Sequence, residues 1–124
     1  MSRLLKLLED TKVQEFVGIL PVAFIIKDTH GKYLACGKSV GRLFNRKSQD
    51  LVGKKAQDLV REDQARKIDQ IDQEIMKSGK GQHNVEAVLQ RLEGGPITVQ
   101  TTRVPLKDEN GKAEGLLLLM TRVG

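Results

Sequence analysis

Pro96-Ile-Thr-Val-Gln-Thr-Thr-Arg103-Val-Pro-Leu-Lys-Asp108-Glu-Asn-Gly111-Lys-Ala-Glu-Gly-Leu116-Leu-Leu-Leu-Met120-Thr-Arg122 is the stretch that decides the fold. Two strand-like runs flank Asp108-Glu109-Asn110-Gly111, residues that tolerate the left-handed backbone of a tight reversal, so the stretch reads as a hairpin. The first run, Ile97 to Val104, is rich in β-branched residues and nearly alternates apolar with polar. The second, Leu116 to Met120, is apolar at every position. A strand apolar on both faces must be covered on both. Leu116–Met120 is therefore expected at the centre of a sheet, with one face on the main core and another segment of the chain over the other.

At 124 residues the chain is expected to form one domain that buries roughly two-thirds of its unfolded surface. Its single cysteine, Cys36, excludes an internal disulfide framework and fits a reducing compartment. No apolar run reaches the roughly 18 residues that span a bilayer. Glu9, Asp10 and Lys12 interrupt Met1–Leu20, which does not read as a signal peptide. The expectation is a cytoplasmic protein or a piece of one. The net charge is +5, and residues 38–67 carry nine basic residues against four acidic ones, a surplus equal to the whole net charge. This segment reads either as a solvated face of short helices or as a surface for nucleic acid or an acidic partner. Phe44 is its one aromatic residue, and no nucleic-acid motif sits on it.

Taken in order, Ser2 can cap a helix bearing Leu4, Leu5, Leu7 and Leu8. Thr11 with Gln14 resembles a capping box that opens a second helix carrying Val13, Phe16, Val17 and Leu20, ended by Pro21. This amphipathic lead, residues 1–20, is the candidate to cover the outer sheet face or to pair with a copy of itself. Residues 21–124 then form the domain proper. Val22–Lys27 and Lys32–Cys36 read as a hairpin around Asp28-Thr29-His30-Gly31. Val40, Leu43 and Phe44 suit a short helix, and Ser48 can cap a further turn ended by Gly53. The longest helix spans about Glu62 to Ser78, with Ala65, Ile68, Ile71, Ile75 and Met76 in one stripe and Gly79 in the left-handed position after it. From His83 to Arg91 the period returns to two, with Val85, Ala87 and Leu89 on one face. Strands separated by a helical insert predict an α+β domain with an antiparallel sheet.

Phe24-Ile25-Ile26-Lys27-Asp28-Thr29-His30-Gly31-Lys32-Tyr33-Leu34 resembles the first hairpin of PAS domains. Ser48-Gln49-Asp50-Leu51-Val52-Gly53-Lys54 resembles the short helix and glycine turn that follow there. Val104–Lys112 and Gly115-Leu116-Leu117 resemble the last PAS hairpin. The resemblance covers about residues 14 to 122 and rests on the order and spacing of the three motifs. It implies a five-stranded sheet of order 2-1-5-4-3, helices on one face, and a sensory or dimerising module of the kind found in bacterial sensor kinases and cyclases. The chain departs from the family pattern at Gly37, where an Asn often stands. It departs again at Arg122-Val123-Gly124, where Asp-Ile-Thr often leads to an output helix; a stand-alone chain and an excised domain both remain open.

The resemblance also frames the cofactor question. Haem-binding relatives commonly place a His on or near the long helix, and Glu62–Ser78 has none. Flavin photoreceptors use a Cys within the helical insert, whereas Cys36 ends a strand between Ala35 and Gly37. The sequence thus argues against haem and flavin and names no other cofactor. His30 and His83 read as surface residues, Cys36 as a core thiol, and Asp69 with Asp72 as part of the solvated helix face. No metal-ligand spacing, phosphate-cradling loop or nucleophile elbow is present. The favoured reading is a non-catalytic sensor and homodimerisation module with an apolar pocket for a small organic ligand. The competing readings are a basic-surface binding protein and a small enzyme using His or Cys. The pocket is expected to be lined by Ile25, Cys36, Leu43, Phe44, Ile68, Ile71, Val85 and Ala87, with Thr101 and Arg103 as its polar groups. Arg103 follows Ile97, Val99 and Thr101 inward by period two and would there need an anion or a carboxylate partner; the alternative is that it reaches water from the strand end.

Overall fold

The apolar run at 116–120 requires a neighbour on each side, and the computed structural model, which describes residues 3–19 and 23–123, provides both. Along the chain run helices α1 (Arg3–Glu9) and α2 (Thr11–Ile19), strands β1 (Phe24–Lys27) and β2 (Tyr33–Cys36), and helix α3 (Lys38–Leu43). Two single 3-10 turns follow (Ser48–Asp50 and Ala56–Asp58), then helix α4 (Glu62–Ser78) and strands β3 (Gln82–Gln90), β4 (Pro96–Lys107) and β5 (Ala113–Arg122). The sheet is antiparallel with order β2-β1-β5-β4-β3, so β5 is central as its composition demands. Its inward residues Leu116, Leu118 and Met120 are buried, and its outward Leu117 and Leu119 are half-buried.

The two tight hairpins are made by the same chemistry. In the β4–β5 turn a carboxylate oxygen of Asp108 accepts from the amides of Asn110 and Lys112 at 2.8 and 3.0 Å, and Gly111 supplies φ +81°. In the β1–β2 turn Asp28 accepts from His30 and Lys32 at 2.8 and 2.9 Å, and Gly31 supplies φ +84°. The side chain thereby satisfies amides that the reversal leaves without strand partners.

Helix α4 follows its apolar stripe: Ala65 and Ile75 are buried and Ile68 is half-buried. Gly79 closes it in the left-handed conformation at φ +72°, its amide donating to the Ile75 carbonyl at 2.9 Å. Helix α3 and the two 3-10 turns add Val40, Phe44, Leu51, Ala56 and Leu59 to the same core.

Three expectations are corrected. Asp10, not Thr11, caps α2, accepting from the amides of Lys12 and Val13 at 2.8 and 3.3 Å; a carboxylate also suits the positive end of a helix. Ser48 lies inside its turn and Lys47 occupies the cap position without a side-chain bond. Helices α1 and α2 pack on β2, toward the sheet edge, with Leu8 buried, although the sequence pointed them at the outer face of the central strand. The expected cap at Ser2, the stop at Pro21 and the strand start at Val22 lie outside the described residues, as do the side chains of Leu4, Leu5 and Val17.

Candidate functional site

Between α4 and the inner sheet face lies a cavity of about 260 Å³. Eight of the ten expected residues line it: Ile25, Phe44, Ile68, Ile71, Val85, Ala87, Thr101 and Arg103. Cys36 and Leu43 do not. Cys36 ends β2 opposite Ile25, buried in the core beside the cavity, and burial pushes its thiol up to about 12. Leu43 is half-buried against that core, with its carbonyl accepting from Arg91 Nη1 at 2.7 Å, while the next residue, Phe44, forms the wall. The inward residues of β1, β2 and β5 add Lys27, Tyr33, Leu118 and Met120 to the lining. Period two could have found each of them, because Lys27 pairs across from Tyr33 and follows Ile25 inward, and Leu118 pairs with both Ile25 and Arg103.

The polar end of the cavity is a buried charge cluster. Asp72, on α4, accepts from Lys27 Nζ at 2.7 Å through one carboxylate oxygen and from Arg103 Nε at 2.8 Å through the other. Arg103 Nη1 donates to Thr101 Oγ1 at 3.2 Å, and that hydroxyl donates to the Val85 carbonyl at 3.1 Å. Lys27 Nζ also stands 5.5 Å from the centre of the Tyr33 ring. Burial pulls the Lys27 ammonium below the ordinary lysine range, against the attraction of Asp72. Burial likewise raises the Tyr33 hydroxyl, which therefore stays protonated at neutral pH.

The carboxylate that Arg103 requires is thus the chain's own. The expectation that Asp69 and Asp72 share a solvated face holds for Asp69, which is exposed, and fails for Asp72, which is 2% exposed. Asp72 lies four residues after Ile68 and three before Ile75, at the middle of the apolar stripe. An acid at that position faces the sheet, and inward Lys27 and Arg103 are there to meet it.

The cavity opens toward β3. Val85 and Ala87 face inward by their pairing with Thr101 and Val99, yet both are exposed, so α4 leaves their edge of the sheet uncovered. The β3 ladder is bulged between Gln82 and Val85, where Asn84 adopts φ +54°. Gln64 ties the start of α4 to the same strand: its Nε2 donates to the Val88 carbonyl at 2.6 Å and its Oε1 accepts from the Gln90 amide at 2.5 Å. Lys67 lines the cavity and is itself exposed.

The sheet order, the helical insert and a cavity between them define a PAS module. Residues 19–124 match the PAS fold family, and the chain belongs to it. Solved structures of similar fold include the VqmA dimer of Vibrio cholerae, a LuxR-type receptor (TM-score 0.74, 18% identity, covering 93% of this chain and 53% of that one). The PAS domain of a Colwellia psychrerythraea protein matches at TM-score 0.73 with 15% identity, covering 88% of this chain and 92% of that one. The PAS domain of a LuxR-family transcriptional regulator from Burkholderia thailandensis, solved with ethanol, matches at 0.67 with 16% identity, covering 92% and 97%. The chain spans about half the length of the VqmA chains it matches. No curated protein matches the sequence.

Proposed function

We propose that the chain is a non-catalytic PAS sensor and dimerisation module that binds a small organic ligand in the cavity under α4. The observation that carries this reading is the cavity itself: apolar walls, one polar end, and an opening at β3. Ligand contacts fall to Ile25, Phe44, Ile68, Ile71, Val85, Ala87, Thr101 and Arg103. A volume of about 260 Å³ suits a molecule of one ring with substituents, since a dry cavity of about 150 Å³ already accepts benzene. VqmA has been solved bound to DPO, which gives a structural neighbour with a bound small molecule. A library of one-ring compounds followed by the methyl resonances of Ile25, Ile68 and Ile71 tests the reading. Compounds that shift these methyls and lose binding in Ile68→Trp support it; a library that moves none of them overturns it.

In the same reading residues 1–20 are the dimerisation lead and 21–124 the sensor domain, working in the cytoplasm as part of a signal-transduction protein. Leu7, Phe16 and Ile19 are 56%, 61% and 72% exposed on α1 and α2, apolar surface that a second copy would cover. No described helix is long and apolar enough to cross a membrane. The basic segment reads as a solvated face, since Arg46, Arg61 and Arg66 pair at the surface with Glu93, Asp63 and Glu62.

A further inference from the structure

We infer that the ligand of this cavity is a small organic anion, its charge held between Lys27 and Arg103; the inference rests on the ligand-binding reading above. The cavity wall carries three cationic side chains, Lys27, Arg103 and, at the opening, Lys67, and no Asp or Glu. Asp72, on α4, is outside the lining and is the one carboxylate bonded to both inner cations. Lys27 and Arg103 are 2% and 7% exposed, so their surplus positive charge is screened by little water. They come from β1 and β4 on either side of β5, opposite Leu116 and Leu118, and converge on Asp72 at the polar end of the cavity.

A cationic ligand entering there would meet like charge, with the one bonded carboxylate, Asp72, already engaged by both cations. A neutral ligand would leave the surplus as it is. An anion would neutralise it in a low-dielectric site, where charge-assisted hydrogen bonds to ammonium and guanidinium are strongest. The rest of the wall sets the body of the ligand, with Ile68, Ile71, Leu118 and Met120 offering only apolar contact. A negative charge bound beside Lys27 would oppose the downward pull that burial exerts on its ammonium.

The test uses benzoate and benzamide, matched in size and shape but not in charge, titrated into the full chain and read from the Ile68 and Ile71 methyls. The expected result is that benzoate binds at least about tenfold more tightly than benzamide. Arg103→Gln and Lys27→Met should each narrow that gap. Should either variant fail to fold, the guanidinium and ammonium nitrogen resonances of the parent serve instead, moving with benzoate and not with benzamide. Benzamide binding as tightly as benzoate overturns the anion assignment and leaves the ligand-binding reading standing. A benzoate preference that survives both substitutions, or parent nitrogen resonances that ignore benzoate, overturns the placement of the charge. If neither compound shifts the cavity methyls, both readings fall together.

Discussion

Asp72 holds two cations with one carboxylate, and this asymmetry ranks the consequences of substitution. Asp72→Ala strands both Lys27 and Arg103 without a counter-charge and is expected to destabilise the domain by about 3–5 kcal/mol. Lys27→Met leaves an Arg103–Asp72 pair and an apolar side chain of similar length, so its effect should be no more than about half as large. Urea denaturation of the two variants checks the order; equal losses would mean that the cluster does not act as a two-to-one assembly. Cys36 makes a separate prediction. Its thiol titrates near 9 in the unfolded chain and at about 12 when folded, so the folded state holds the proton more tightly. Nothing is lost below about pH 9, and stability falls as pH rises from there toward 12. Cys36→Ala should remove this component, so the parent-minus-variant stability difference should decline across that window and be flat below it.

Among the elements, α4 depends on the sheet through a few side chains as well as through its apolar stripe. Gln64 occupies the β3 edge with both its amide atoms, Asp72 reaches β1 and β4, and Gln73 Nε2 donates to the Thr29 carbonyl at 2.8 Å. Gln64→Ala removes two hydrogen bonds to backbone and should cost about 1–2 kcal/mol. Because the loss is local, hydrogen exchange at the Gln90 amide should accelerate more than exchange in the β4–β5 ladder; uniform acceleration would show that α4 and β3 open only with the whole domain. The paired turns offer a further comparison. Asp28→Ala and Asp108→Ala each remove two side-chain bonds to turn amides and should destabilise by similar amounts, about 1–2 kcal/mol by thermal unfolding.

For the molecule as a whole, what covers the exposed apolar side chains of α1 and α2 is a question of assembly. Helices of seven and nine residues are too short to persist alone and depend on what they pack against. They pack on β2 with Leu8 buried, while Leu7, Phe16 and Ile19 remain exposed. In the proposed dimer those side chains meet a second copy. Sedimentation equilibrium should show a dimer at tens of micromolar, on the order expected for an interface of this type. Phe16→Glu should weaken association by about tenfold or more by placing a charge in a desolvated contact. A parent that stays monomeric at that concentration removes the dimerisation reading and leaves the cavity reading untouched.

What the sequence determined by itself was whatever local chemistry and periodicity control. The unbroken apolar run at 116–120 put β5 at the centre, Asp and Gly placed both tight turns, and the stripe from Ala65 to Ile75 with Gly79 after it bounded α4. Eight cavity residues followed from the same periods, because each periodic element has one inward face. Cys36 and Leu43, expected on the wall, stand off it, because being inward or apolar does not say which inward residue borders the empty space. By sequence, Asp72 is set with Asp69 in the polar register of α4, although Asp72 lies four residues after Ile68 and three before Ile75. Its angle was available in the sequence, but the partners that make burial of a carboxylate tolerable lie 45 and 31 residues away along the chain. Only the folding of α4 across β1, β5 and β4 brings Lys27, Asp72 and Arg103 within hydrogen-bond reach. The set of charged groups on the cavity wall, three cations and no carboxylate, is therefore a property of the tertiary structure.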